Sequence, residues 1–172
     1  MIGKASIRLD KFLILAKSFK INTEQINGLK YKPIKKFPLS VYDISFDVFS
    51  QVYKYRDIAY MHLLLHEISG VSLKKILRMR LDKVYPVWKK YINELVEIDN
   101  LLKEVNEDMP APKKIPPKDF NEFGLRNIIN AVAQGRKDLH EYFYKQTVAE
   151  IYVMYRMHCH ETINLLYDTN TK

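Results

Sequence analysis

Apolar residues return at three- and four-residue steps over most of the chain, which is the period of an amphipathic helix and not that of a strand. The clearest stripe is Val87, Tyr91, Leu95, Ile98 and Leu102, with Pro86 suited to the first turn of its helix. A second long stripe runs through Leu139, Phe143, Val148, Ile151, Tyr155, Cys159 and Ile163. No Gly or Pro interrupts residues 137–168, so this segment is predicted as one helix. Residues 57–69 form another, capped by Asp57 and ended by Gly70, which tolerates the left-handed backbone that closes helices. Ser72 is placed to cap the helix that follows, in which Leu73, Ile76, Leu77 and Leu81 recur. Residues 119–135 read as a helix from the Asp119 cap to Gly135.

The N-terminal third is less regular. Residues 10–21 carry a run of apolar residues that suits a short helix or a strand. Pro33 and Pro38 break helical order around "YKPIKKFP", so 29–37 is expected to be extended, as an edge strand or short hairpin. A helix then starts near Ser40 or Ser45, with Asp43 and Asp47 in early turns where the helix dipole favours anions. The expected fold class is mainly α, a helical bundle with at most one short β-hairpin or extended segment at 29–37. The four prolines of "NEDMPAPKKIPPKD" mark a stiff linker. The chain therefore divides into an N-terminal helical unit (1–105), a linker (106–118) and a C-terminal helical pair (119–172). No internal repeat is apparent.

Composition narrows the function more than it names it. The chain has 172 residues, of which 47% are hydrophobic, enough for a core. Five glycines are too few for a turn-rich barrel or sandwich. One cysteine excludes an internal disulfide framework and a Cys-rich zinc site. No apolar run approaches the ~18 residues of a membrane span, and the N-terminus lacks the apolar core of a secretory signal. No membrane partner is expected, and the cytoplasm of the cell that makes the protein is the expected location. The formal charge of +8 is uneven: residues 1–36 hold nine Lys/Arg against Asp10 and Glu24, and residues 74–90 hold seven against Asp82. Such patches attract acidic proteins or nucleic acid.

The stretch "HEISGVSLKKILRM" poses the sharpest functional question. A helix, a glycine corner and a second helix bearing Lys74, Lys75 and Arg78 have the layout of a DNA-reading helix-turn-helix. Two features oppose that assignment. The crossing position four before the glycine is the large His66, and the second helix offers Leu73 and Leu77 where polar side chains would read bases. His62 and His66 share a helix face but lack a third ligand at useful spacing, and His158 and His160 diverge by about 200° on a helix, so no metal site is expected. No nucleophile elbow or phosphate-binding glycine loop is present. Catalytic residues and cofactors are accordingly expected to be none. Tyr142 and Tyr144, flanking Phe143 on one short stretch, must point to different sides of a helix, and an exposed Tyr beside Lys makes contact surface. Lys74, Lys75, Arg78, Tyr142 and Tyr144 are the candidate partner-binding residues.

Taken in order, the Lys-rich opening "KYKPIKKFPLSVYDI", the helix–Gly–helix corner at 67–81, the long helix, the Pro-rich stretch and "FGLRNIINAVAQG" at 123–135 before a long last helix form a pattern. It resembles the small tail assembly chaperones of tailed bacteriophages. The resemblance implies a non-enzymatic assembly factor that binds a tape measure protein or tail tube subunits in the host cell cytoplasm. It is equally compatible with a permanent virion part in the neck, tail or baseplate. The alternative from the residues themselves is a nucleic-acid-binding regulator that uses the 70–81 corner.

Overall fold

A computed structural model describes residues 7–19, 34–107 and 124–170. They are mostly helical, and the mainly-α expectation holds. The helices are α1 (Leu9–Phe19), α2 (Phe46–Val52), α3 (Met61–Ser69), α4 (Leu73–Leu77), α5 (Leu81–Glu107), α6 (Gly124–Val132), α7 (His140–Lys145) and α8 (Val148–Asn170). Single 3-10 turns at Val41–Asp43, Ile58–Tyr60 and Lys137–Leu139 lie between them. No helix among the described residues is long and apolar enough to cross a membrane.

The chain divides into two compact units, and the division is not the one the prolines suggested. The first unit is built from 7–19, 34–41 and 51–95, and the second from 42–50, 96–107 and 124–170. The boundaries therefore fall inside α5 and near the end of α2, whose residues 46–50 join the C-terminal residues. Of the expected linker, Asn106 and Glu107 are the end of α5, and 108–118 lie outside the described residues. The reason lies in the backbone pairing described next.

Each unit is organised by one isolated antiparallel bridge between residues that immediately precede helices. In the first unit Arg8 faces Arg80, with Leu9 N–H donating to Met79 O (2.9 Å) and Leu81 N–H donating to Ile7 O (2.9 Å). In the second, Ser45 faces Thr147, with Phe46 N–H donating to Gln146 O (2.8 Å) and Val148 N–H donating to Ile44 O (3.0 Å). Leu9, Leu81, Phe46 and Val148 are the first residues of α1, α5, α2 and α8. A helix leaves its first N–H groups without an intrahelical acceptor, and here each bridge supplies one to two helices at once. Two positive helix ends are thereby brought together, an arrangement that an anion in each first turn offsets. Asp10, Asp82, Asp47 and Glu150 occupy those turns.

The first unit's core is formed by Leu9, Phe12, Val52, Met61, Leu64, Leu65, Ile76, Val84, Tyr91 and Leu95, all buried. In this unit α4 packs against both α1 and α3. Residues 37–41 are strapped to α5 by three side chains of one turn. Tyr91 Oη donates to Pro38 O (2.6 Å), Lys90 Nζ donates to Leu39 O, and Glu94 accepts from Val41 N–H (2.8 Å). Of the expected extended segment at 29–37, residues 29–33 lie outside the described residues. Residues 34–37 form a turn closed by Phe37 N–H on Ile34 O (2.8 Å). Burial of Phe37 and Val41 on either side of Pro38 favours that compact path over a strand.

In the second unit α6 packs against α7 and α8. The single helix expected over 137–168 is broken. Gln146 is extended (ψ 158°), and Thr147 starts α8 with a reciprocal cap. Thr147 N–H and Oγ1 both donate to Glu150 Oε2 (2.8 Å each), while Glu150 N–H donates to Thr147 Oγ1 (3.3 Å). The 10–21 ambiguity resolves as helix α1, and Ser45 rather than Ser40 caps α2, accepting from Val48 N–H at 3.4 Å. Pro86 lies in the second turn of α5 because that helix begins at Leu81, where the bridge to Ile7 ends.

These caps make the fold acid-sensitive. The Arg80 guanidinium holds the Asp82 carboxyl below its ordinary value, and hydrogen bonds from Thr147 do the same for Glu150. A carboxyl depressed in the folded state stabilises it above the unfolded pKa, near 4, and that contribution disappears as pH falls through the folded value. The urea midpoint should therefore be level from about pH 7 to 5 and fall below about pH 4. Replacing Glu150 with Gln should reduce the size of that fall.

Candidate functional site

The corner between α3 and α4 is a rigid elbow. Gly70 takes φ 64° and ψ 5°, and its N–H donates to His66 O (2.9 Å). His66, too large for the crossing position of a DNA-reading motif, instead turns Nδ1 toward Val71 O (2.8 Å). A carbonyl only accepts, so Nδ1 carries the proton. Ser69 Oγ donates to Leu65 O (2.5 Å) and accepts from Val71 N–H (3.2 Å). Ser72 precedes α4 as expected, but its side chain makes no capping bond. Helix α4 is five residues long and stops at Leu77, so Leu81 belongs to α5 and not to the helix predicted from Ser72. Ile76 is fully buried, and Leu73 and Leu77 are half-buried, so neither leucine stands free in solvent.

Lys74, Lys75 and Arg78 are exposed on this elbow, as the sequence suggested. Immediately beyond them sits the Arg8–Arg80 bridge, where two copies of Arg-Leu-Asp-Lys meet, at 8–11 and 80–83. Residues opposed in this kind of pair stand about 4.5 Å apart at Cα, which would set two guanidinium groups side by side. Each is taken by the aspartate two residues on. Arg8 reaches Asp10 (2.5 Å), and Arg80 grips Asp82 with both Nε (3.0 Å) and Nη2 (2.8 Å). That leaves Lys11 and Lys83, exposed and without an ion-pair partner among the described residues, next to Lys74, Lys75 and Arg78 in sequence or across the bridge. The sequence reading missed this tetrapeptide pair. The signal was plain, since a four-residue identity with a charge at three positions recurs in the chain.

The other two candidates lie in the second unit and differ from each other. Tyr142 is 57% exposed, with its ring edge-on to Phe143 (5.2 Å between centroids). Tyr144 is half-buried against Phe46 (6.2 Å) and so packs α7 onto α2 rather than offering free contact surface. The same unit exposes Val96 on α5 and Val153, Met157 and Leu165 on α8. Between the second half of α5 and α8 lies a groove of about 190 Å³ lined by Leu101, Glu104, Val105, Tyr152, Arg156, Cys159, His160 and Ile163.

The two units carry opposite charge. Among the described residues, the first holds fourteen Lys/Arg against five Asp/Glu, a formal +9. The second holds six against eleven, a formal −5. The whole-chain value of +8 hides this separation. No three of His, Cys, Asp and Glu among the described residues form a group able to hold a metal ion. No protein-family model, curated protein or solved structure matches the chain.

Two side chains test this geometry. A Cβ at Gly70 would meet nothing within 4 Å, so substitution there acts through backbone strain alone. Gly70→Ala should lower the unfolding free energy by about 1–2 kcal/mol and Gly70→Asn by less, measured by urea unfolding. Cys159 is buried beside Tyr155, and burial pushes its thiol above the ordinary value, opposed by a hydrogen bond with the phenol. Iodoacetamide at pH 8 should modify the native chain roughly tenfold or more slower than the urea-unfolded chain.

Proposed function

We propose that this chain is a non-enzymatic assembly factor that works through protein contacts, its basic unit holding acidic segments of a partner. The observation that carries the reading is the separation of charge. Exposed cations without ion-pair partners among the described residues gather on one compact unit around the Gly70 elbow, and exposed apolar side chains accompany them there (Ile14, Leu39, Tyr60) as they do on the acidic unit (Val96, Tyr142, Met157). Cationic and apolar groups together on one pre-formed surface suit recognition of amphipathic, acidic protein segments. Tail assembly in a bacteriophage, with a tape measure or tube protein as the client, is the setting the sequence pattern resembles.

A second reading rests on one specific feature, the glycine elbow followed by exposed Lys74, Lys75 and Arg78. These could contact phosphates, but a five-residue helix is about 7.5 Å long and reaches few base edges. Its two leucines are half-buried, and they occupy the positions where hydrogen-bonding side chains would be needed. Protein contact is therefore the better reading.

Co-expression with the products of the neighbouring genes, followed by affinity purification of the full chain, tests it. A stoichiometric protein complex is expected, and it should be lost in the K74E/K75E/R78E variant. Mixed-sequence DNA should bind weakly, with no preferred site. A complex indifferent to that variant would overturn the proposal, as would tight, sequence-selective DNA binding abolished by it.

A further inference from the structure

We infer that one acidic partner of the basic unit is the acidic unit of a second copy of this chain, so that copies associate through unlike units. This rests on the reading of the basic unit as an acceptor for acidic protein surface, and it names that surface. In the first unit Lys11, Lys74, Lys75, Arg78 and Lys83 are exposed and unpaired among the described residues. In the second, Glu97, Glu104 and Glu161 are likewise exposed and unpaired. Each set lies beside exposed apolar side chains. Ile14 follows Lys11 by one helical turn on α1. Val96 adjoins Glu97, and Met157 and Leu165 lie one turn to either side of Glu161 on α8. Apolar contact ringed by complementary charge is the composition of a specific protein interface.

Charge also selects which units meet. Basic against basic or acidic against acidic opposes like charges, whereas joining the first unit of one copy to the second unit of another opposes +9 to −5. A two-fold dimer makes that contact twice, and a head-to-tail ring or filament makes it once per copy.

Sedimentation velocity on the nuclease-treated full chain tests the inference. At about 50 mM salt the chain should form concentration-dependent oligomers, and these should dissolve at about 1 M, where screening extends to ~3 Å. K74E/K75E/R78E and E97K/E104K/E161K should each stay monomeric at low salt while keeping the wild-type circular dichroism, since every substituted residue is exposed. Mixed in equal amounts, the two variants should associate again, because each retains the half the other has lost. A wild-type chain that is monomeric at low salt overturns the inference, even where the same chain captures another protein through Lys74, Lys75 and Arg78. Oligomers that persist in both variants, or a mixture that stays monomeric, overturn it too.

Discussion

The fold depends on how four helix N-termini find acceptors for their leading N–H groups. A helix start buried without a partner loses about 1–3 kcal/mol per orphaned donor, and a glycine-poor chain has few loops with which to supply one. This chain answers with two antiparallel bridges, Arg8 to Arg80 and Ser45 to Thr147, each feeding two helices. The bridges decide which distant segments belong together. Residues 42–50 leave their sequence neighbours for the C-terminal helices because Phe46 and Ile44 are hydrogen-bonded to Gln146 and Val148. The first half of α5 belongs with α1 for the same reason.

The same device is built from different side chains in the two units, and it contributes differently to their charge. In the first, the residue before α1 and before α5 is an arginine and the first-turn acid neutralises it, leaving Lys11, Lys74, Lys75 and Lys83 without an ion-pair partner among the described residues. In the second, the residues before the helices are Ser45 and Thr147, neutral hydroxyls that cap by hydrogen bonding. Their first-turn acids, Asp47 and Glu150, are then not offset by an arginine at the same position. Like helix ends can be brought together either way, but only the hydroxyl version leaves net negative charge behind.

Helical periodicity made much of this legible. The buried stripe Val87, Tyr91, Leu95, Ile98 and the row Val148, Ile151, Tyr155, Cys159 were readable as core, as was Gly70 as a stop, while Asp57 caps the 3-10 turn ahead of α3 and not α3 itself. Three features were not read, for physical reasons. The break at Gln146 contains neither Gly nor Pro, and its only mark is Thr147 and Glu150 at capping-box spacing. The start of α5 at Leu81 is set by a bridge to Ile7, a long-range pairing that local propensity does not encode. The unit boundary inside α5 follows from the other bridge, whereas prolines report only local backbone preference. Of the candidate residues, Lys74, Lys75, Arg78 and Tyr142 are exposed as read. Tyr144 is half-buried because Phe46, brought in by the Ser45 bridge, covers it.

Surface chemistry and fold are coupled most directly at α4. A five-residue helix has no independent stability, since nucleation is unfavourable and isolated helices shorter than about 12 residues are marginal in water. Lys74, Lys75 and Arg78 are therefore held in place by what anchors their backbone. Ile76 is buried, α1 and α3 pack on either side, and the elbow at Gly70 fixes the entry. The exit is fixed two residues past Leu77, where Met79 O accepts the first N–H of α1. The cationic surface is thus a property of the bridge as much as of the lysines. Loosening the pairing at Leu9 would release the end of α4 and disperse the cations, without changing any charge.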